Sequence, residues 1–262
     1  MLIDERKRQI LDITKEKTFV SVEDLSKSVY ASPATIRRDL VSLAEAGLIK
    51  RVRGGASVIS SSTGEVSAVV RKQTNVLEKR RMAIACLPFI QEGDSYFLDS
   101  STTVNQLIPF LKKFTEITVI TNGFENAFAL STFVNFPAYI AGGSISTNVA
   151  SSTGADTIDY LRRFSCNTFI FSCRGFSLTG GATEGTIEQQ RVKSVMLANS
   201  SFHILLCDHS KFDKTLLARD CPLSDIDVII TDALPSQVYI DACKTENVKL
   251  IVANQDYVNT LK

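Results

Sequence analysis

Ser32-Pro33-Ala34-Thr35-Ile36-Arg37-Arg38-Asp39-Leu40 reads as the opening of a helix, with a hydroxyl residue at the N-cap and proline at the first helical position. At about 100° per residue, Ile36, Leu40 and Leu43 share one face and pack inward. Ala34, Thr35, Arg38 and Ser42 then face away, with Arg37 on the flank. Small Ala34 and Thr35 let such a helix approach a groove closely. Arg38 can reach guanine O6 and N7 or a phosphate, and Arg37 suits a backbone phosphate. The plain alternative is a solvated helix carrying two surface arginines. The neighbouring sequence decides between them.

Upstream, Ile10, Leu11 and Ile13 sit among charges over residues 4–17, the pattern of a short amphipathic helix. Phe19-Val20 form a brief extended link. Ser21-Val22-Glu23-Asp24 resembles a capping box, with Asp at its end, and opens a second helix over Val22 to Val29. Tyr30-Ala31-Ser32 is the turn. The third helix runs from Pro33 to near Gly47, a C′ glycine. Downstream, Leu48-Ile49-Lys50-Arg51-Val52 reads as a strand, Gly54-Gly55 as a turn and Ala56-Ser57-Val58-Ile59 as the return strand. Three helices and a hairpin carrying Lys50, Arg51 and Arg53 make a winged helix-turn-helix. In that context the Ser32 cap and Arg37-Arg38 read as parts of a DNA-reading element.

Charge agrees in sign. Residues 1–58 hold 11 basic and 8 acidic side chains, a net +3, while the rest hold 18 and 20, a net −2. At 262 residues, with 44% apolar and 22% charged side chains, the chain suits two domains of a soluble protein. No apolar run is long enough to span a membrane and no secretion signal opens the chain, so the cytoplasm is the expected location. Six cysteines and two histidines lack Cys-x-x-Cys spacing, which argues for buried reduced thiols and against a metal site. No cofactor is expected.

Ser60-Ser61-Ser62-Thr63-Gly64 is a polar linker. The expected division is residues 1–59 for the winged helix, 60–74 for the linker and 75–262 for a second domain. There a helix over Asn75 to Gln91 is followed by strands at Tyr96 to Leu98, Ile117 to Thr121, Ala138 to Ile140, Thr168 to Ser172, His203 to Cys207, Val228 to Thr231 and Lys249 to Val252. Helices fit at Val104 to Lys113, Glu125 to Ser131, Ile158 to Phe164, Ile187 to Asn199 and Ser236 to Thr245. Such alternation predicts an α/β fold with a mostly parallel sheet.

Ligands of open α/β sheets gather at strand C-termini. Asp99-Ser100-Ser101-Thr102-Thr103 joins a strand to a helix, and hydroxyls with backbone N–H groups at a helix start favour an anion such as phosphate. Asp99 suits a sugar hydroxyl or a bracing role. Runs of Ser and Thr also cap helices that bind nothing. Thr121-Asn122 and Gly142-Gly143 follow the next two strands, although Gly142-Gly143 also fits a tight turn. Further on, Glu184 precedes a helix containing Lys193, and Asp208 to Phe212 place Lys211 after a strand end. For either lysine the alternative is a solvated surface charge. No Gly-x-Gly-x-x-Gly or Gly-x-x-x-x-Gly-Lys-Ser/Thr loop is present, which disfavours dinucleotides and nucleoside triphosphates; a CoA ester stays open.

Taken in order, Thr35-Ile36-Arg37-Arg38-Asp39-Leu40, Leu43-x-x-x-Gly47-x-Ile49 and Arg51-x-x-Gly54-Gly55-Ala56 resemble the DNA-binding domain of the DeoR family of bacterial regulators. Asp99-Ser100-x-Thr102-Thr103, Thr121-Asn122, Gly142-Gly143 and Asp208-x-Ser210-Lys211-Phe212 are similar to the family's effector-sensing domain, so the resemblance covers nearly the whole chain. It implies a sensing fold like that of ribose-5-phosphate isomerase and glucosamine-6-phosphate deaminase. It also implies a double-stranded DNA operator, a phosphorylated sugar effector and a homo-oligomer, dimer or tetramer. Arg53 stands where the family usually has histidine, and keeps a cationic donor. Ser101 stands where it usually has glycine, which bears on how the effector sits. The isomerase-like fold raises the alternative of catalysis, but no proton relay is placed among the strand-end motifs, and a switch without turnover is the preferred reading.

Overall fold

Residues 3–17, 19–45, 48–57, 68–147 and 149–260 are described by the computed structural model. The chain folds as two units, Met1–Thr74 and Asn75–Lys262. The first contains α1 (Ile3–Glu16), β1 (Phe19–Ser21), α2 (Val22–Ser28), α3 (Pro33–Glu45), β2 (Lys50–Val52), β3 (Gly55–Ser57) and α4 (Ala68–Lys72). Ser21 caps α2 by accepting from the Asp24 N–H at 3.0 Å, and its own hydroxyl donates to the Asp24 carboxylate at 2.8 Å. Ser32 likewise accepts from the Thr35 N–H at 3.2 Å. Ile10, Leu25, Ile36 and Leu40 are fully buried and join Leu43, Val20 and Ile49 in one core. The apolar face expected of α3 is therefore the packed one. Gly47, Val58, Ile59 and the serine linker lie outside the described residues, while α4 falls within the stretch expected as linker.

The wing is a three-stranded sheet in the order β1-β3-β2, antiparallel throughout. Its two glycines do different work. Gly54 takes a φ of +87°, which an L side chain resists, and its carbonyl accepts from the Val22 N–H at 2.9 Å. A Cβ on Gly55 would stand 2.1 Å from the Val20 carbonyl oxygen. Gly55→Ala is therefore expected to push β3 off β1 at a cost of roughly 1–3 kcal/mol. Unchanged amide-exchange protection at Val20 and Ala56 in that variant would show that the strands absorb the methyl group freely.

The second unit comprises α5 (Val76–Cys86), β4 (Ser95–Leu98), β5 (Thr118–Thr121), α6 (Phe124–Phe133), β6 (Ala138–Ile140), β7 (Ser144–Ser146), β8 (Ser151–Thr153), α7 (Ala155–Leu161), β9 (Cys166–Phe171), β10 (Gly175–Ser177), β11 (Gly181–Glu184), α8 (Ile187–Ala198), β12 (Ser200–Leu206), β13 (Ala218–Cys221), β14 (Val228–Thr231), α9 (Gln237–Thr245), β15 (Lys249–Val252) and α10 (Gln255–Thr260). Its main sheet is wholly parallel, in the order β15-β14-β12-β9-β4-β5-β6. Alternating side chains serve two cores. Tyr96 and Leu98 face the layer containing Met82 and Leu107, while Phe97 faces the one containing Val192 and Tyr239.

Val104–Lys113 is a 3₁₀ helix containing Pro109. Proline lacks the N–H that an α-helical ladder needs at that position, so the segment winds more tightly than a regular helix. The hairpin β7–β8 and the small antiparallel sheet β10-β11-β13 have no counterpart in the sequence reading. Among the described residues, no helix is long and apolar enough to cross a membrane.

Candidate functional site

In the first unit, α3 and the wing present their cations outward. Arg37, Arg38, Lys50, Arg51 and Arg53 are all exposed, as are Ser32 and Ala34. Asp39, next to the two arginines, turns inward and pairs with Arg6 of α1 at 2.6 Å, which raises the Arg6 pKa. Thr35 is half-buried, with its hydroxyl 2.9 Å from that of Ser32. Ser42 is half-buried as well. Lys7 of α1 donates to its hydroxyl at 2.7 Å, because α1 packs along that side of α3. Tyr30, absent from the sequence reading of this surface, is 93% exposed in the turn before α3.

In the second unit the sheet reverses its winding beside β4. From β4 the chain adds β5 and β6 on one side, then returns to build β9, β12, β14 and β15 on the other. The crevice outside the strand ends at such a switch point is where α/β sheets take ligands. Asp99 directly follows β4 and Ser172 directly follows β9. The Asp99 carboxylate accepts from the Ser172 N–H at 3.0 Å and from the Ser101 N–H at 3.0 Å, which ties the loops after β4 and β9 together.

Two lysines converge on Ser172. Lys211 donates to its hydroxyl at 2.6 Å and stands 3.5 Å from both the Thr103 hydroxyl and the Asp208 carboxylate. Lys193 donates to its carbonyl and, in the same buried cluster, to Glu184, with Asp99 at 3.4 Å and Asp220 at 3.6 Å. Lys193 thus lies in the interior, and the solvated-surface alternative does not hold. Burial works against its charge, but Asp220, Glu184 and Asp99 outweigh that and hold its pKa well above the ordinary value. Among the described residues neither carboxylate oxygen of Asp220 has a hydrogen bond, and burial pushes its own pKa well up. A third lysine, Lys79 of α5, donates to the Thr102 hydroxyl at 3.1 Å.

Asp208 also belongs to this cluster. Burial opposes its ionisation, but Lys211, two hydrogen bonds from Ser210, and Lys79 outweigh that and bring it down to about 2. A carboxylate lowered from an unfolded value near 4 stabilises the fold at neutral pH, and that contribution is lost as pH falls through its folded pKa. Asp208→Asn is expected to be less stable at pH 7 by on the order of 2 kcal/mol, with the gap closing between about pH 4 and 2. Urea titrations across that range check this, and a gap independent of pH would refute it.

The other expected ligand residues play different parts. Ser100 lies 3.4 Å from Gln189, which donates to Ser151 at 2.9 Å. Ser101 accepts from the Val104 N–H at 3.1 Å and caps the 3₁₀ helix. Thr121 is fully buried and accepts from the Gly123 N–H and from Asn126. Buried Asn122 donates to the Ser152 carbonyl at 3.0 Å. Both side chains are spent on bracing. Gly142 and Gly143 follow β6, two strands from β4. Gly143 has a φ of +135°, and a Cβ there would stand 2.1 Å from the Thr157 hydroxyl oxygen, so it serves close packing. Of the residues absent from the sequence reading, Ser172 could have been found by the strand-end rule. Asp220 and Lys79 carry no such signal.

A cavity of about 520 Å³ lined by Ser201, His203, Asp225 and Asp227 opens at the starts of β12 and β14. Its mouth lies toward the opposite end of the sheet from Asp99 and Lys211, and its lining also reaches Asp220 of the Lys193 cluster.

A family model described as the DeoR C-terminal sensor domain matches residues 74–233, and one described as the DeoR-like helix-turn-helix domain matches residues 6–62. The chain belongs to the DeoR family. This DeoR-family transcriptional regulator is 32% identical over 231 residues to the glycerol-3-phosphate regulon repressor of Escherichia coli (strain K12), covering 88% of this chain and 91% of the relative. It is 32% identical over 256 residues to the HTH-type transcriptional repressor GlcR of Bacillus subtilis (strain 168), covering 98% of each. Among solved structures it resembles ribose 5-phosphate isomerase A of Methanocaldococcus jannaschii (14% identity, TM-score 0.40, covering 53% of this chain and 55% of that one). It also resembles the translation initiation factor eIF-2B of Pyrococcus horikoshii OT3 (13% identity, TM-score 0.42, covering 85% and 81%).

Proposed function

We propose that this DeoR-family regulator is a repressor of carbohydrate-use genes, controlled by a phosphorylated sugar or polyol bound at the β4–β9 switch point. The observation that carries the reading is the meeting of Lys211 with the hydroxyls of Ser172 and Thr103 where those strands end, beside Lys79 on Thr102. Ammonium groups among hydroxyls match a phosphate, and carboxylates such as Asp99 and Glu184 match sugar hydroxyls. The names of both relatives support the repressor role, and that of the E. coli relative, a glycerol-3-phosphate regulon repressor, supports a phosphorylated polyol or sugar as effector.

In this reading Arg38 reads base edges, while Arg37, Lys50, Arg51 and Arg53 grip phosphates, with Ser32, Ala34 and Thr35 close to the groove. Two copies address paired half-sites about 34–36 Å apart or multiples of that spacing. The chain acts in the cytoplasm, as a switch rather than a catalyst. Asn75, the first residue of the second unit, donates to Asp208 at 3.2 Å. A ligand that draws Lys211 from Asp208 alters that bond, and α5 relays the change along the chain. The ligand shifts operator affinity only by its unequal affinity for the two arrangements.

Fluorescence polarisation on DNA from upstream of the gene, at fixed salt, tests the reading against glycerol 3-phosphate and a panel of sugar phosphates and CoA esters. One phosphorylated sugar or polyol is expected to release the complex. Lys211→Ala should bind the operator like wild type and lose that response. Specific DNA binding that no compound alters, or a variant with an unchanged ligand midpoint, would remove the effector assignment.

A further inference from the structure

Six cysteines are buried and free, and two of them face each other. β9 and β12 are parallel neighbours paired with Phe171 beside Leu205. Continuing that register for two residues brings Cys173 beside Cys207, and their sulfurs lie 4.0 Å apart. Laterally adjacent strand positions are about 4.8 Å apart, within the Cα separation that a disulfide spans. Side-chain rotation can therefore close the gap without moving the strands.

The surroundings distinguish this pair from the other thiols. Cys173 follows Ser172 and Cys207 precedes Asp208, the two residues that hold Lys211. Contact with the Cys207 sulfur, then Lys211 and Lys193, outweigh burial and bring the Cys173 thiol below its ordinary value. Burial pushes Cys207 well up, as it does Cys86 and Cys166, each to about 12, and it also raises Cys221 and Cys243. Two sulfurs in contact, one of them beside two lysines that favour its ionisation, match a reactive cysteine and its resolving partner.

We propose that Cys173 and Cys207 are a peroxide-oxidisable pair that closes into a reversible disulfide between the ends of β9 and β12. Cys173 gives up its thiol proton as its sulfur attacks one oxygen of hydrogen peroxide, and that proton goes to the departing hydroxide. The O–O bond breaks, the hydroxide leaves as water, and Cys173 becomes a sulfenic acid. The Cys207 sulfur then attacks the Cys173 sulfur. The S–S bond forms, the S–O bond breaks, and the departing hydroxide takes the Cys207 proton as a second water. Two thiols lose two electrons and one peroxide gains them. The result is a covalent clamp beside Lys211, whatever ligand the crevice takes.

The test uses the full chain exposed to hydrogen peroxide, then denatured, alkylated with iodoacetamide and digested for mass spectrometry. A Cys173–Cys207 cross-link lighter by two hydrogens is expected, with the other four cysteines alkylated and both thiols recovered by dithiothreitol. Fragment ions separate Cys173 from Cys166, which shares its tryptic peptide. In Cys207→Ser, Cys173 is expected to stop at the sulfenic acid and take up dimedone. Full alkylation of both cysteines in peroxide-treated wild type would overturn the proposal, as would a cross-link joining a different pair. The wild-type result stands even if the variant folds poorly.

Discussion

Replacing Lys193 with methionine is expected to destabilise the second unit by about 3–5 kcal/mol, the cost of removing one partner from a buried charge cluster. Methionine keeps most of the volume and the unbranched stem, so packing loss stays small. What disappears is the ammonium group that faces Glu184, Asp99 and Asp220 and donates to the Ser172 carbonyl. Asp220 is already pushed well above its usual range by burial while Lys193 is present. Without it, the carboxyls fold more readily when protonated. A group whose folded pKa is raised stabilises the fold below its unfolded pKa and loses that contribution as pH rises. The deficit should therefore be largest at neutral pH and shrink toward about pH 4. Adding Asp220→Asn to Lys193→Met should recover part of the loss. A deficit below about 1 kcal/mol at pH 7, within the range of an exposed pair, would show that the cluster is hydrated and weak.

Lys193 also shows where sequence reading stops. A lysine inside a helix is solvated by default, and its three carboxylate partners come from the end of β4, from β11 and from β13. Two of those strands belong to the small sheet of three- and four-residue strands, whose segments Gly175–Ser177 and Gly181–Glu184 lack a usable apolar alternation. Most strands of the parallel sheet were legible as short apolar runs, and the central ones are buried on both faces, as at Val228–Thr231, whereas Ala138–Ile140 at the edge is exposed throughout. Their spatial order, and hence the switch point joining Asp99 to Ser172, depends on tertiary pairing that no local pattern encodes. The winged helix was legible because its signals are short-range: a cap at Ser32, a proline at position 33 and an apolar stripe through Ile36, Leu40 and Leu43. The contact of Ser42 with Lys7 was not legible, because that stripe says nothing about a residue 35 positions earlier.

Arg38→Ala is expected to weaken binding to the cognate operator by about 1–3 kcal/mol while changing non-specific binding much less. The argument rests on what surrounds the two arginines of α3. Both are exposed, and the acid beside them is withdrawn, since Asp39 is buried and paired with Arg6. Turned inward and paired with Arg6, Asp39 does not cancel their charge on the outer face. Arg38 lies with Ala34 on the exposed side of the helix, the side proposed to face base edges. The wing cations Arg51 and Arg53 extend from a β2–β3 hairpin held to β1 through Gly55. Arg51→Ala should weaken binding to all sequences alike and lower the slope of log K against log salt by about one counterion. Polarisation titrations of both variants over a salt series, on operator and on scrambled DNA, separate the two behaviours. If Arg38→Ala lowers both affinities equally and reduces the salt slope like Arg51→Ala, Arg38 grips phosphate and base reading belongs to another part of α3.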